Sequence, residues 1–190
     1  MASSKKMYPR RVLALLPIPI VLILSKPDIE FLIPGLLVVA AGEWIRLWAA
    51  GHLRKNQEVI TSGPYAYVRN PLYVGTFLIG LGFAIAASGV TPPGIYFLLI
   101  GVPFFIVYYF AMYLPYKCKV ETSRLERRFQ EEAADYNEKV PSFFPRLTPY
   151  PSEKRKWRPA LIIENSEIGT LSAVLVCAAV LTLKCVDAIP

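Results

Sequence analysis

The strongest constraint on this chain is a stretch without charge: from Asn70 to Tyr116 there is no Asp, Glu, Lys or Arg. As helix, at ~1.5 Å per residue, the stretch is about twice as long as one crossing of a ~30 Å hydrocarbon core requires. It has to fold back on itself. The break is legible at Ser88-Gly89-Val90-Thr91-Pro92-Pro93-Gly94, where prolines and glycines interrupt helix and leave an apolar arm on each side. The expectation is a helical hairpin whose second arm carries Tyr96, Phe97, Phe104, Phe105, Tyr108, Tyr109, Phe110, Tyr113 and Tyr116. Pro103 is expected to kink that arm and Pro115 to end it.

Composition agrees with a membrane location. The 190 residues are 54% hydrophobic and 18% charged, against about a quarter charged in an ordinary soluble domain. Disorder, a disulfide scaffold and a collagen-like fibre are excluded on the same grounds. Phe31 to Gly51 forms another crossing, interrupted by Glu43 and Arg46, which stand three apart and can pair on one helix face. Such charges are either functional or an internal ion pair that fixes packing. Val12 to Ser25, short and containing Pro17 and Pro19, and Ile168 to Leu183 are further crossings. No small-residue cleavage site follows the first apolar run, so it is expected to stay rather than be removed as a signal peptide. The expected fold is an all-α, polytopic membrane helix bundle forming a single domain, residues 1–190. It has about five crossings, near 10–26, 30–51, 71–89, 93–116 and 167–185.

Positive charge orients the bundle. With the N-terminus inside, Lys5, Lys6, Arg10, Arg11, Arg54, Lys55, Arg69 and every Lys and Arg from Lys117 to Arg158 share one side, leaving Lys26 and Lys184 on the other and Arg46 within a helix. By the positive-inside rule the segments 52–70 and 117–160 then face the cytoplasm, with the C-terminus opposite. Anionic headgroups account for the net charge of +7 without a nucleic-acid partner. Cys118, Cys177 and Cys185 show no paired short spacing, and His52 stands alone, so no metal site of side-chain ligands is expected.

Any chemistry is expected in those two polar segments. The first contains Gly63-Pro64, a turn, and Asn70-Pro71, an N-cap and first-turn proline opening the third crossing. A helix mouth of this kind accepts an anion, although taken by itself the segment reads more simply as a capped helix entry with interfacial tyrosines. In the second segment Lys117, Glu121, Leu125, Phe129 and Ala133 follow at four-residue steps, so a cation and a carboxylate share a stripe with apolar anchors. Arg124, Arg127, Arg128, Glu131 and Glu132 fit a solvated face.

Together the segments resemble the isoprenylcysteine carboxyl methyltransferase family and its phospholipid methyltransferase relatives. The family pattern is matched by Gly63 and Tyr65, by Arg69 with Pro71 and Tyr73, by Glu121 before Leu125 and Phe129, and by Val140-Pro141 with Pro145. The resemblance covers residues 43 to 147. It implies an integral membrane enzyme that uses S-adenosyl-L-methionine, held by Gln57, Glu58, Val59, Ile60, Tyr65, Asn70, Pro71, Leu72, Tyr73 and Glu121. Lys117 takes the position of a basic residue near the methyl acceptor, and Arg69 is a second candidate for orienting an anionic acceptor. Asn70 stands where the best-known members have His, Lys117 where they have Arg, and Thr122 replaces an acidic residue. Lysine lacks the planar fork that grips a carboxylate bidentately.

The expected reaction is methyl transfer to a lipid-borne acceptor, either the carboxylate of an isoprenylcysteine-like molecule or the amine of phosphatidylethanolamine. A carboxylate is already nucleophilic at neutral pH, whereas an amine must first lose a proton, and no dedicated base is evident. Other readings are a sterol-reductase relative using a nicotinamide cofactor, and a non-catalytic adaptor whose basic segments bind anionic lipid.

Overall fold

A computed structural model describes residues 17–54, 59–118, 134–152 and 155–187. Among these the chain forms helices and connecting turns, without strands. In order they are α1 (Pro17–Leu24), α2 (Ile29–Ala50), a 3₁₀ turn at Gly63–Ala66, α3 (Pro71–Ala86), α4 (Gly94–Cys118), a helical stretch at 134–139, α5 (Ala160–Glu164) and α6 (Glu167–Asp187). The helices α2, α4 and α6 are long and apolar enough to cross a membrane, and α3 is a shorter apolar helix. This is an all-α membrane protein.

The most extensive contact is α2 against α3, and small residues make it possible. A Cβ added to Gly42 would lie 2.7 Å from the Gly75 carbonyl oxygen, and one added to Gly82 would lie 2.6 Å from that of Gly35. Backbones this close gain dispersion and exclude lipid, the main driving force for helix association where water is absent.

Neighbouring helices alternate in direction. Where α2 begins, the Asp28 N–H donates to the Ser88 carbonyl, and the Asp28 carboxylate accepts from the Val90 N–H at 2.6 Å, tying the fold-back loop to the helix start. Where α6 ends, Leu181 and Cys185 pack against Leu32, Ala86 and Ala87, and the Lys184 ammonium donates to the Leu22 and Ile23 carbonyls, capping α1. These groups form the far rim. The near rim gathers the end of α2, the start of α3, the end of α4, the segments 134–152 and 155–166, and the start of α6. There the Asn165 side-chain amide caps α2 through the Ala50 and Leu53 carbonyls, and Trp157 reaches the Leu47 carbonyl.

Two expectations are corrected here. Pro115 does not end α4, which continues to Cys118. Both prolines of this helix are accommodated by widened π turns, Phe97–Gly101 and Tyr109–Tyr113. Each turn contains the residue four before the proline, Leu99 or Ala111, whose carbonyl loses its normal donor. Nor does Arg46 pair with Glu43. It bonds Glu167 at 2.5 Å across to α6, while both Glu43 carboxylate oxygens are buried without a hydrogen-bond partner.

Candidate functional site

The two polar segments meet at the near rim. The Arg69 N–H donates to the Pro141 carbonyl at 2.9 Å, the Arg146 N–H to the Tyr67 carbonyl at 3.0 Å, and the Tyr150 N–H to the Ala66 carbonyl at 2.8 Å. Side chains add to the seam: the Tyr136 hydroxyl donates to the Tyr65 carbonyl at 2.7 Å, Ser152 to the Thr61 carbonyl, and Arg69 Nη1 to Asn137 Oδ1 at 2.9 Å. Residues 61–70 are thus held by 136–152 along their length, through backbone groups that side-chain patterning does not reveal.

Asn70 sits where this seam meets the bundle. Its carbonyl accepts the Tyr73 and Val74 N–H groups, starting α3, with Pro71 fully buried behind it. Its side chain does not cap the helix. The amide donates instead to the Ser142 carbonyl at 2.9 Å and contacts Cys118 Sγ at 3.7 Å, linking α3, the end of α4 and the 142 turn in one place. The mouth of α3 therefore keeps its partial positive charge without a capping oxygen from Asn70.

Below the mouth lies an aromatic layer. Phe77, Phe105, Tyr109, Phe110 and Phe143 interlock with ring centroids 5.0–6.0 Å apart. The Tyr109 hydroxyl donates to the Tyr73 carbonyl at 2.6 Å, and Tyr113 meets the Tyr73 ring edge-on. Lys117 Nζ lies 5.6 Å above the Tyr113 ring, a cation–π contact that holds the ammonium at the rim. Arg69, Asn70, Tyr73 and Lys117 thus belong to one neighbourhood. Ile60 and Tyr65 do not open onto it in the same way: both are buried with Ala49, against Leu53 and Leu72. Val59 is a half-buried loop residue. Gln57, Glu58 and Glu121 lie outside the described residues.

Polar groups left over mark the same end. Among the described residues, buried atoms without a hydrogen-bond partner include Arg69 Nε, Asn137 Nδ2, Ser62 Oγ and His52 Nδ1, all at the near rim. Each is costly to bury unmet, so each favours a polar guest. His52 packs against the backbone of Gly63, which has a φ of +61° and no room for a Cβ, and burial holds the imidazole below its usual range and neutral. At the outer surface, hydrogen bonds from Lys139 and Tyr150 hold the Asp135 carboxyl below its ordinary value.

Sequence reasoning did not single out Asn137, Ser142, Arg146 or Tyr150. Asn137 alone left a usable signal, a polar residue one turn before Val140-Pro141. Glu167 was another omission: as an isolated acid at the head of an apolar run, it needed a basic partner on another helix, and Arg46 was available.

A phospholipid methyltransferase family model matches residues 31–132. The nickel-cobalt-cadmium resistance protein NccN of Alcaligenes xylosoxydans xylosoxydans is 35% identical over 121 residues, 63% of this chain and 52% of that protein. The cobalt-zinc-cadmium resistance protein CzcN of Cupriavidus metallidurans is 35% identical over 123 residues, 63% of this chain and 51% of that protein. The chain spans about half the length of these curated relatives. No solved structure matches it significantly. A charge-free hairpin, a small-residue α2–α3 contact and a polar rim joined at Asn70 are the setting of a match that covers more than half of the sequence: the chain belongs to the phospholipid methyltransferase family.

Proposed function

We propose that the protein transfers a methyl group from S-adenosyl-L-methionine to a lipid-borne acceptor at the near rim, and that this rim faces the cytoplasm. The supporting observation is the junction at Asn70, where one amide touches both the end of α4 and the 142 turn. The donors around it suit the cofactor. Its carboxylate matches the uncapped mouth of α3 and the unmet Arg69 Nε and Asn137 Nδ2. Its sulfonium and adenine match the tyrosines, and its ammonium and ribose match Glu121. In this reading Gln57, Glu58, Val59, Ile60, Tyr65, Asn70 to Tyr73 and Glu121 hold the cofactor. Ile60 and Tyr65 contribute through backbone or shape, because their side chains are core.

Bound there, the cofactor supplies an electrophilic methyl group. The protein has to align the acceptor about 3 Å away and keep water out. The interlocked rings from Phe77 to Phe143 form the dry wall. Lys117 and Arg69 orient an anionic acceptor, so the carboxylate of an isoprenylcysteine-like molecule is the first substrate reading. Such a carboxylate needs no base. The second is the amine of phosphatidylethanolamine, favoured by the family matched. The lipid tail enters sideways between helices, where it remains in hydrocarbon.

Transfer of labelled methyl from S-adenosylmethionine into a panel of total lipids and prenyl thiols, followed by mass spectrometry of the product, tests the proposal. Label in a prenylcysteine ester supports the first substrate and label in a methylated phosphatidylethanolamine the second. Label in neither, with active cofactor present, contradicts a lipid acceptor.

A further inference from the structure

The last helix lies outside the region matched by the family model, yet its first residue reaches the start of α3. Arg46, late in α2, is the link. Its Nη2 donates to Glu167 Oε2 at 2.5 Å and to Thr170 Oγ1 at 3.4 Å, both on α6. Its Nη1 donates to Thr76 Oγ1 at 2.6 Å and to the Leu72 carbonyl at 3.3 Å, both on α3. Thr76 also donates to the Leu72 carbonyl, at 2.8 Å. One guanidinium therefore fixes a backbone carbonyl in the stretch Asn70 to Tyr73, and is itself fixed by a carboxylate 121 positions further along the chain.

We propose that Arg46 is a positioning residue for the cofactor pocket and that Glu167 sets it, so that α6 is part of the methyltransferase site rather than an added anchor. The inference rests on the proposed cofactor reading. The geometry is specific to arginine: the two faces of the fork serve two helices at once, which an ammonium cannot do. Burial makes the arrangement stringent, since Arg46 and Glu167 side chains are only 13% and 7% exposed. Among the described residues, the local charges are Arg46, Glu167 and Glu43. Glu43 stands one turn before Arg46, 5% exposed, and both its oxygens lack a hydrogen-bond partner. It is the reserve acceptor. If Glu167 is neutralised, Arg46 can turn back along α2 toward Glu43 and release the Leu72 carbonyl. Removing Glu43 alone leaves the Glu167 contact in place.

The test is calorimetric titration of the purified protein in detergent with S-adenosylhomocysteine, alongside thermal unfolding without it. Arg46→Lys and Glu167→Gln are expected to weaken binding about tenfold or more through misplacement of the pocket. Glu43→Gln is expected to bind as the wild type does. The exchanged pair Arg46→Glu with Glu167→Arg is expected to regain thermal stability but not affinity, because a carboxylate at position 46 cannot donate to the Leu72 carbonyl. If Arg46→Lys does not fold, Glu167→Gln, which leaves the arginine and Thr170 in the chain, gives the answer. Unchanged affinity in the folded Glu167→Gln variant overturns the inference while leaving the cofactor reading intact. No binding by the wild type overturns the cofactor reading, and this inference with it.

Discussion

The two rims of the bundle use their polar groups differently. At the far rim Asp28 accepts from the fold-back loop, and Lys184 caps α1. Among the described residues, no buried side-chain nitrogen or oxygen there lacks a partner. At the near rim a longer set of hydrogen bonds joins 61–70 to 136–152, yet Ser62, Arg69 and Asn137 keep atoms unmet. Both rims close loops between helices, and closure alone does not require unmet donors. Among the described residues the surplus lies at one end, the end that the proposed function reads as the binding rim.

The largest effect should come from the junction. Asn70→Leu removes the amide that meets Ser142 and Cys118, and is expected to lower labelled-methyl transfer about 10- to 100-fold, the equivalent of losing one to two buried hydrogen bonds. The protein should remain folded by circular dichroism. Glu121→Gln and Tyr73→Phe are expected to stay folded as well, and to bind S-adenosylhomocysteine more weakly by calorimetry. Equal turnover in Asn70→Leu would erase the distinction between the rims.

The opposite pattern is expected at the far rim. Lys184→Met removes the ammonium donor from the Ile23 carbonyl and leaves the Leu22 carbonyl with the Ser25 hydroxyl alone, and should cost about 1–3 kcal/mol in denaturant unfolding. Cofactor affinity should not change. A loss of affinity there would mean that the two ends are coupled. Tyr136→Phe is intermediate, because it removes one buried hydrogen bond from the seam. It should cost about 1 kcal/mol and, by loosening 134–152, weaken cofactor binding a few-fold, as read by calorimetry.

The smallest effect concerns pH. Burial lowers the His52 pKa from its usual 6.5, so on acidification the unfolded chain takes up that proton before the folded one. Stability from this group is complete above about 6.5 and is lost as pH falls from there toward the folded value. His52→Gln should flatten that part of the profile of unfolding temperature against pH. An unchanged slope would assign it to other groups.

Helix positions were legible because they follow from local chemistry: charge-free length, the Ser88–Gly94 break, and Pro71 opening α3. The behaviour of Pro115 was not, because a π turn redistributes the missing hydrogen bond within a helix that lipid and neighbours already support. At the candidate site, Arg69, Asn70, Tyr73 and Lys117 were marked by the resemblance to the family pattern. The seam partners were hidden because most of the bonds are made by backbone groups of Ala66, Tyr67, Pro141 and Ser142, which any side chain could accompany. The Arg46–Glu167 pair was missed for another reason. Spacing along one helix suggested a local partner, whereas the packing of α6 brought a better-placed one.

The most direct test of the account is titration of S-adenosylhomocysteine into the purified wild-type protein and into the Asn70→Leu and Glu121→Gln variants, all shown to be folded. Saturable one-site binding by the wild type, weakened by a change in either segment, is the predicted result. Binding that neither substitution alters, or none in the wild type, would contradict a site shared by the two segments.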